Sequence, residues 1–408
     1  MRVAIIGGGA AGFFSAITVK EGFPGSSVTI FEKGAVPLSK VKITGGGRCN
    51  LTNSSSSIEE LSLAYPRGGR QMRGLLKEFD NFDTIEWFES RGVPLVTQED
   101  GCVFPASQDS QSIIDSLVSQ AKSLGVVIST GMEVISITKA FDDKLELRFK
   151  DDINPVLLFD KVIVTTGGSP KKRSLEWLSN LGHKIENPVP SLFSFNLPGD
   201  KITELMGVVI EDVILSLEGS KLKSKGALLI THWGMSGPAI LKLSSYGAKE
   251  LNEMCYNFKI HINWVNQPDS SVVAQELNRI IEDNPNKQLI SVRPNGIPAR
   301  LWRYLLGKYE LKEEKKWCEI GKKGINLLTD ALSNDIHRVN GKSSYKEEFV
   351  TCGGVSLSSV NISALESKCV KNLYFAGEIL DIDAITGGFN LQCAWTTGYI
   401  AGKLRSGK

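Results

Sequence analysis

The segment from residue 2 to residue 33 constrains the fold more than any other part of the sequence. Here "RVAII" predicts a buried strand, "AAGFFSAITVKEG" predicts a helix with small residues at its start, and "SVTIFEK" predicts a second strand. A strand, a helix and a second strand in this order form the βαβ unit of a parallel sheet. The sequence therefore predicts an α/β fold of the Rossmann type.

Three glycines between the first strand and the helix have the spacing GxGxxG. Gly7 permits a tight turn, Gly9 lets a pyrophosphate approach the backbone, and Gly12 lets the helix lie close to the strand. The start of the helix, at Ala10 and Ala11, then offers N–H donors and a partial positive charge to phosphates. A glycine-rich turn without a ligand is the alternative, but the complete strand–helix–strand pattern favours a dinucleotide-binding site.

The acid at the end of the second strand indicates which nucleotide binds. Glu32 lies 20 residues after Gly12, where its carboxylate can accept hydrogen bonds from ribose hydroxyls, and Lys33 follows it in the predicted site. Because a carboxylate repels a 2′-phosphate, NAD or FAD is expected rather than NADP. The position of the motif at the N-terminus favours FAD.

The stretch "TGGGRCN", residues 44–50, begins about a dozen residues after the second strand. These residues allow three interpretations: a phosphate cradle, a cysteine-based redox or metal site, and a flexible loop. Since the chain can fold back here over the dinucleotide, we expect the glycine backbone to lie against the cofactor, with the arginine and the asparagine donating to the cofactor or to the loop itself. The residues concerned are Gly45, Gly46, Gly47, Arg48, Cys49 and Asn50.

The seven cysteines lie at least 17 positions apart. This spacing contains no CxxC, so it does not support a zinc ribbon, an iron–sulfur cluster or a thioredoxin-like motif, and no metal site is predicted. Cys49 is therefore expected to be a small buried residue, with a redox role as the alternative. Scattered free thiols are typical of a reducing cytoplasm, where we expect this protein to lie.

Composition limits the partners. The 408 residues are 41% hydrophobic and 23% charged, with a formal net charge of +2, which gives no broad attraction to nucleic acid or anionic membrane. No apolar run approaches the roughly 18 residues that cross a bilayer, and the first 20 residues fit a signal peptide less well than a dinucleotide-binding turn. We expect a small-molecule substrate, no nucleic-acid partner and no membrane, while the oligomeric state stays open.

Both ends of the chain are expected to build one domain. "FDKVIVTTGGSP" predicts a buried strand that ends at Gly167 and Gly168, and "NLYFAGEILDID" predicts another that ends at Gly377 and Glu378. A buried strand this close to the C-terminus must join an existing sheet. The predicted nucleotide domain therefore comprises residues 1–189 and 346–408, and residues 190–345 form an insertion, β-rich from about 190 to 268 and mainly helical from about 269 to 345.

The chain resembles a family of FAD-dependent flavoproteins that includes aminoacetone oxidase and a bile-acid enone reductase. The resemblance extends over essentially the whole chain, through "GGGAAG", "TGGGRCNLTN", "VTTGGSP", "THWGMSGPAIL", "VTCGGVSL", "LESK", "LYFAGEILDID" and "TGGFNLQCAWTTGYIAG". The departures are few: Ala384 stands where many relatives have glycine, Phe389 where many have tyrosine, and "ALESK" where "TMESK" is usual. They concern substrate contacts rather than FAD.

The resemblance implies a Rossmann-like fold of the two-dinucleotide-binding type with a β-rich and helical insertion. It implies that the backbone of Val134 touches the adenine side, that Glu378 or Asp381 binds the ribityl chain, and that Gly387, Gly388 and Phe389 place N–H groups near the flavin N1 and C2 carbonyl. Such a helix N-terminus would stabilise the negative charge of reduced flavin. The predicted site also includes Ala10, Ala11, Gly167, Gly168, Gly377 and Asn390.

The expected function is that of an FAD-dependent oxidoreductase that exchanges a hydride between flavin N5 and a small organic substrate. A second GxGxxG is absent, so NAD(P)H is expected only as a transient co-substrate, and dioxygen is the alternative redox partner. Two other functions stay open: a non-catalytic flavin-binding redox sensor, and an FAD-dependent RNA-modifying enzyme. No catalytic residue is assigned, since His232 in "THWGMSGPAIL" fits an acid–base role and a structural role alike.

Overall fold

The computed structural model describes residues 1–150, 156–169, 171–343 and 350–406. The chain divides into two compact units. The first comprises Met1–Pro190 with Lys346–Lys408, and the second comprises Ser191–Tyr345. Each unit has its own sheets and core.

The strands of both units are numbered in chain order. They are β1 (Arg2–Ile6), β2 (Ser27–Glu32), β3 (Thr52–Asn53), β4 (Leu95–Thr97), β5 (Cys102–Pro105), β6 (Val127–Thr130), β7 (Val134–Lys139), β8 (Leu145–Phe149), β9 (Leu157–Phe159), β10 (Lys161–Val164), β11 (Ile185–Ser191), β12 (Phe195–Asn196), β13 (Val209–Leu217), β14 (Lys223–Thr231), β15 (Gly234–Ser236), β16 (Asn257–Asn263), β17 (Asp335–Asn340), β18 (Val350–Val355), β19 (Val360–Asn361), β20 (Glu366–Ser367) and β21 (Leu373–Phe375).

The α-helices are numbered in the same way. They are α1 (Ala10–Gly22), α2 (Ser39–Ile43), α3 (Ile58–Leu63), α4 (Gly69–Leu75), α5 (Asn81–Glu89), α6 (Gln111–Ser123), α7 (Glu176–Ser179), α8 (Pro238–Tyr246), α9 (Ala248–Glu253), α10 (Ser270–Asp283), α11 (Ala299–Lys308), α12 (Gly321–Ser333) and α13 (Phe389–Gly402). Within the described parts of the chain, no helix combines the length and the apolar character that crossing a bilayer requires.

The first unit is built on a seven-stranded sheet in the order β19-β20-β21-β10-β1-β2-β6. The five strands from β21 to β6 are parallel, and β1 lies in the middle, where Ile5 pairs with Ile30 on one side and Ile163 on the other. Strands that are covered on both faces are continuously apolar, as the sequence "VAII" is. The first unit is thus the α/β Rossmann-like domain that the sequence predicts.

Helices from opposite ends of the chain pack against each other in this unit. Gly398 and Gly402 lie one turn apart on α13, and a Cβ atom at either would lie within about 3 Å of the α1 backbone, at Ala11 O (3.0 Å) and Ser15 O (2.8 Å). The two helices run in the same direction. Phe389 lies nine residues before Gly398, so α13 begins about 13 Å beyond its contact with the start of α1.

The second unit contains an antiparallel sheet in the order β12-β15-β14-β13-β16-β17. Its two edge strands join: Phe195 bridges to Lys342, Asn196 N donates to Gly341 O (3.1 Å), and Ser343 N donates to Ser194 O (3.0 Å). The sheet therefore closes into a six-stranded barrel through residues 341–343, which directly follow β17. Strand β17, which completes the barrel, follows α10, α11 and α12. It lies in the region that the sequence predicts to be mainly helical.

A buried charged cluster lies at the start of β17. His337 donates from Nδ1 to Asp200 (2.7 Å) and from Nε2 to Asp335 (2.8 Å), and Asp335 also accepts from Lys308. Burial by itself lowers the pKa of His337, but the hydrogen bonds to both carboxylates outweigh it, so the pKa is raised overall. The pKa of Asp200, which burial raises, falls to about 2 because of the bond from His337.

This cluster predicts how the stability of the second unit depends on pH. A group whose pKa is higher in the folded protein contributes stability below its unfolded pKa, about 6.5 for histidine, and the contribution is lost as pH rises through the folded pKa. The free energy of unfolding should therefore fall above neutral pH. The variant His337→Gln should lack this decrease.

Urea denaturation between about pH 6 and pH 10 measures the effect, with fluorescence of Trp264, whose ring lies 6.3 Å from that of His337, as the probe. His261→Gln is the control, because His261 lies on the neighbouring strand β16 and outside the cluster. An identical pH dependence in the wild type and in His337→Gln would contradict the prediction.

Candidate functional site

Five chain segments that the sequence assigns to the cofactor site meet at one edge of the seven-stranded sheet. They follow the carboxyl ends of β1, β2, β6, β10 and β21, which are parallel and therefore end at the same side. Strand β2 lies on one side of β1, and β10 lies on the other. The chain connections at the carboxyl end of β1 therefore lead to opposite sides of the sheet. In open α/β sheets, ligands bind at such a divergence, outside the carboxyl ends of the strands.

The turn between β1 and α1 is packed on one side and open on the other. A Cβ atom at Gly7, whose φ is +111°, would lie 2.4 Å from Thr165 O, and one at Gly12 would lie 2.0 Å from Gly7 O. At Gly9 a Cβ atom would have no neighbour within 4 Å. The first turn of α1 carries no acidic residue. The backbone at Gly9 and the helix N-terminus therefore form a cradle that a phosphate fits.

Backbone donors fix the carboxylate of Glu32. Its two oxygens accept from Gly8 N (2.7 Å) and Gly34 N (2.7 Å), and its carbonyl accepts from Met132 N (2.9 Å). Each carboxylate oxygen keeps acceptor capacity for a further donor. The side chain is thus held at the carboxyl edge in one orientation, as binding of a ribose hydroxyl requires.

The start of β7 lies beside this carboxylate. Gly131 N donates to Gly34 O (3.1 Å), which brings the segment before Val134 against the residues after β2. Val134 is half-buried and pairs with Phe149 across the sheet β7-β8-β9, while Lys33 is exposed. Val134 therefore lies near the ribose side of the candidate site.

The glycine loop, residues 44–50, presents bare backbone. Gly45, Gly46 and Gly47 all have positive φ (+58°, +68° and +84°), and a Cβ atom at Gly46 would have no neighbour within 4 Å. The base of the loop is closed by Cys49 N, which donates to Thr44 O (2.9 Å), and by Ser110 N, which donates to Gly47 O (2.9 Å). A well-anchored loop with an open centre is suited to close contact with a ligand.

The two residues that follow the glycines, Arg48 and Cys49, contact the protein itself. Arg48 stacks on the ring of Phe104 (4.3 Å) and donates to Gly45 O (3.3 Å). Cys49 is fully buried, and burial raises the pKa of its thiol to about 12 although a hydrogen bond with Thr44 lowers it. Such a thiol stays protonated at neutral pH and is a poor redox reporter.

Gly168 and Gly377 allow close approach of neighbouring segments. A Cβ atom at Gly168 would lie 2.5 Å from Glu378 Oε1, and one at Gly377 would lie 2.9 Å from the Cβ of Ala11. Glu378 accepts from Thr351 N (2.7 Å), and its other oxygen lies 3.4 Å from Lys40 Nζ. Gly167, Gly168, Gly377 and Glu378 therefore lie together next to α1.

Helix α13 is preceded by a glycine in a left-handed conformation, Gly388 (φ +89°). The Asn390 amide accepts from Ala384 N (2.9 Å) and donates to Ala384 O (3.1 Å), which folds the preceding loop back on the helix. Asp381 is half-buried, and its N–H donates to Val355 O (2.9 Å). Asn390 thus shapes the loop that leads into the helix N-terminus.

A contact that sequence analysis missed is made by the segment that follows α3. The Tyr65 hydroxyl donates to the carbonyl of Phe389 (2.8 Å), and the Arg67 guanidinium forms a two-pronged ion pair with Asp383, which is completely buried. The glycine pair in "PRGGR" was a signal for close approach, since a Cβ atom at Gly68 would lie 2.7 Å from Ile382.

The residues of the first unit fit a dinucleotide cofactor. Open backbone at Gly9 and Gly46, the N-terminus of α1 and an oriented Glu32 provide donors for phosphates and an acceptor for ribose. In the described residues there is no group of three or more His, Cys, Asp and Glu side chains that could hold a metal ion. His232 lies exposed in the second unit, edge-to-face with Trp233, and no acid–base role follows from this position.

Gly9 and Gly12 should respond differently to substitution. Gly9→Ala adds a methyl group where space is open, so we expect FAD affinity to fall at least tenfold, about 1.4 kcal/mol, with a stability loss of no more than about 1 kcal/mol from the weaker helix cap. Gly12→Ala brings a Cβ against Gly7 O and should mainly destabilise the fold. Titration with FAD and thermal denaturation of the apoprotein separate the effects, and unchanged affinity in Gly9→Ala would contradict the assignment.

Gly46 has a matched control in the second unit. Gly46 and Gly219 both have positive φ (+68° and +75°) and open space around the Cβ position. Alanine should cost about 1 kcal/mol of stability at either position because of the left-handed backbone. Only Gly46→Ala should weaken FAD binding, by about tenfold, as measured by equilibrium titration. Equal FAD affinity in the two variants would refute the contact of the glycine loop with the cofactor.

Comparisons with known proteins place the chain in a family. The model of the HI0933-like protein Rossmann domain matches residues 1–404. A 3-dehydro-bile acid delta(4,6)-reductase of Clostridium scindens is 27% identical over 98% of this chain and 98% of its own. A ribosomal RNA dihydrouridine synthase of Haemophilus influenzae is 27% identical over 97% and 96% of the two chains.

A solved structure has the same fold. It is the 3-ketosteroid-delta4-(5alpha)-dehydrogenase from Rhodococcus jostii RHA1, with a TM-score of 0.52 and 10% identity over 99% of this chain and 96% of that chain. At this identity the similarity concerns the fold alone. From the family match and the Rossmann geometry, the chain belongs to the HI0933-like Rossmann family of FAD-dependent oxidoreductases.

Proposed function

We propose that the chain is a reductase that adds hydrogen across a carbon–carbon double bond conjugated to a carbonyl group in a small organic molecule. The observation that carries the proposal is the full-length similarity to the C. scindens protein, whose name describes reduction at the delta(4,6) positions of a 3-dehydro-bile acid. The H. influenzae relative is named for forming dihydrouridine. Both names describe the addition of hydrogen to an unsaturated ring.

We propose NADH or NADPH as the electron donor. FAD, when bound, would supply the redox chemistry, which is hydride transfer at flavin N5. Overall, one substrate double bond, one NAD(P)H and one proton give the saturated product and NAD(P)⁺. A second GxGxxG is absent from the sequence, so the nicotinamide is expected to dock only transiently.

The N-terminal segment would bind the adenosine and pyrophosphate end of the cofactor. The open backbone at Gly9 and the amides that open α1 would donate to the phosphates, where the helix dipole favours negative charge. Glu32, held by Gly8 N and Gly34 N, would accept from the ribose hydroxyls. Val134 would contact the adenine side through its backbone.

The glycine loop and α13 would lie along the flavin end. The N-terminus of α13 extends about 13 Å beyond the start of α1, so an extended cofactor would reach both helix termini. The amide of Phe389 would then stabilise the negative charge that reduction places on the ring, whereas the amide of Gly388 donates to Asn50. Glu378 or Asp381 would bind the ribityl chain, while Arg48 and Asn390 maintain the loops on either side.

Reduction of uridine in RNA is a second candidate, favoured by the similarity to the H. influenzae synthase. The uracil ring also contains a double bond conjugated to a carbonyl, so the chemistry is the same and only the substrate differs. A net charge of +2 over 408 residues provides little attraction for a polyanion. We therefore place the small-molecule substrate first.

Anaerobic stopped-flow spectroscopy tests the proposed function. NADH or NADPH should bleach the flavin absorbance of the holoenzyme, and subsequent mixing with a conjugated enone of a sterol should restore it. A saturated ketone of the same skeleton is the matched control and should leave the flavin reduced. Absence of bleaching by both nucleotides would exclude the reductase, and faster reoxidation by dioxygen than by the enone would indicate an oxidase.

The same reduced enzyme separates the two substrate classes. Reoxidation by ribosomal RNA that weakens steeply as salt increases would favour the RNA substrate, since phosphate contacts release counterions on binding. Reoxidation by the enone alone, independent of salt, would favour the small molecule.

A further inference from the structure

A buried amide in α13 holds together three segments that are distant in sequence. Gln392, in the first turn and a half of α13, is completely buried. Its Oε1 accepts from the hydroxyls of Thr52 (2.5 Å) and Thr84 (2.9 Å), and its Nε2 donates to Thr396 Oγ1 (3.0 Å). Burial of an amide costs free energy unless it is hydrogen-bonded, so this arrangement is specific to one placement of the three segments.

Further bonds join the end of the glycine loop to the same helix. Trp395 Nε1 donates to Leu51 O (2.9 Å), and Asn53 Nδ2 donates to Gly387 O (3.2 Å). With its amide oriented to donate to Thr52 O (3.0 Å), Asn50 accepts from Gly388 N (3.3 Å). Each residue from 50 to 53 is therefore bonded to α13 or to the glycines before it.

The contact between loop and helix leaves no free space. A Cβ atom at Gly388 would lie 2.3 Å from Thr52 O, and Leu51 and Thr52 are both fully buried. The glycine backbone at 45–47, which is open at Gly46, and the start of α13 are thus parts of one continuous, tightly bonded element. A displacement of Thr52 moves the glycine backbone relative to the helix terminus.

We infer that Gln392 is a positioning residue that sets how closely the glycine loop and the N-terminus of α13 approach the flavin, and so sets its reduction potential. The effect of a helix terminus on a charge decreases within one turn, so a small displacement alters the stabilisation of reduced FAD. This inference rests on the proposed FAD site but not on the proposed substrate or electron donor.

The variant Gln392→Met keeps the length of the side chain and removes its hydrogen bonds. We expect the dissociation constant of FAD to rise about tenfold. We also expect the preference for reduced over oxidised FAD to fall about tenfold, which lowers the two-electron midpoint potential by about 30 mV. FAD titration and equilibration with a reference dye measure these quantities without substrate. Tyr374→Phe is the control, since it removes a hydroxyl that donates to Leu404 O near the other end of α13 and accepts from Lys161 Nζ, and it should lower only thermal stability.

Two threonine variants separate positioning from mere support of the fold. Thr52→Val and Thr84→Val each remove one hydroxyl donor to the same amide oxygen, but Thr52 lies in β3, two residues after the glycine loop, and Thr84 lies in α5. Thr52→Val should lower the potential and weaken FAD binding, and Thr84→Val should leave both within about twofold of the wild type, less than 0.5 kcal/mol. This pair decides the question even where Gln392→Met does not fold.

Partial rescue by a conservative change provides a further readout. In Gln392→Glu a protonated carboxyl retains an acceptor for both threonines and a donor for Thr396, whereas an ionised carboxylate loses the donor. Relative to the wild type at the same pH, the midpoint potential of Gln392→Glu should return toward the wild-type value at about pH 5, where the carboxyl group is protonated. It should fall below that value at about pH 8, where the carboxylate is ionised.

Two results would overturn the inference. One is a Gln392→Met protein with the stability loss of Tyr374→Phe but wild-type FAD affinity and potential. The other is an equal shift of potential in Thr52→Val and Thr84→Val. Neither result depends on whether NAD(P)H reduces the enzyme, whereas a wild-type protein that binds no FAD would refute the cofactor site itself.

Discussion

The backbone contact between α1 and α13 is the constraint on which the rest of the first unit depends. Glycines at 398 and 402 let the last helix lie directly on the first, and a larger side chain at either would separate them. Because both helices run in the same direction, their N-termini face the same side of the molecule. Segments from opposite ends of the chain thus provide two positive helix termini on the side where the FAD site is proposed.

Rigidity at the candidate site comes from its surroundings rather than from the site itself. The backbone at Gly9 and Gly46 is open, while neighbouring carboxylates, amides and threonine hydroxyls are hydrogen-bonded within the protein. Cys49 and Leu51, fully buried, fix the far side of the glycine loop. Such an arrangement keeps donors in place before the cofactor binds, so less ordering entropy is lost on binding.

In the second unit, closure of the barrel depends in a similar way on the buried charged cluster. Strand β17 closes the sheet, and its inward-facing Asp335 and His337 bind Lys308 and Asp200 from other segments. The two carboxylates and the two cations compensate for the free-energy cost of burying one another's charge, since an unpaired buried charge there would be strongly destabilising. The last strand of the barrel is therefore secured both by the ladder to β16 and by this cluster.

The sequence by itself determined the βαβ unit and the family, and it predicted the dinucleotide site with Glu32, because turn chemistry and the period of apolar residues are local properties. Only the tertiary structure decided which glycines are packed, as Gly7 and Gly12 are, and which are open, as Gly9 and Gly46 are. It also decided that β17 closes a barrel and that Gln392 meets Thr52 across 340 positions. Such contacts depend on how whole elements pack, and no local pattern encodes them.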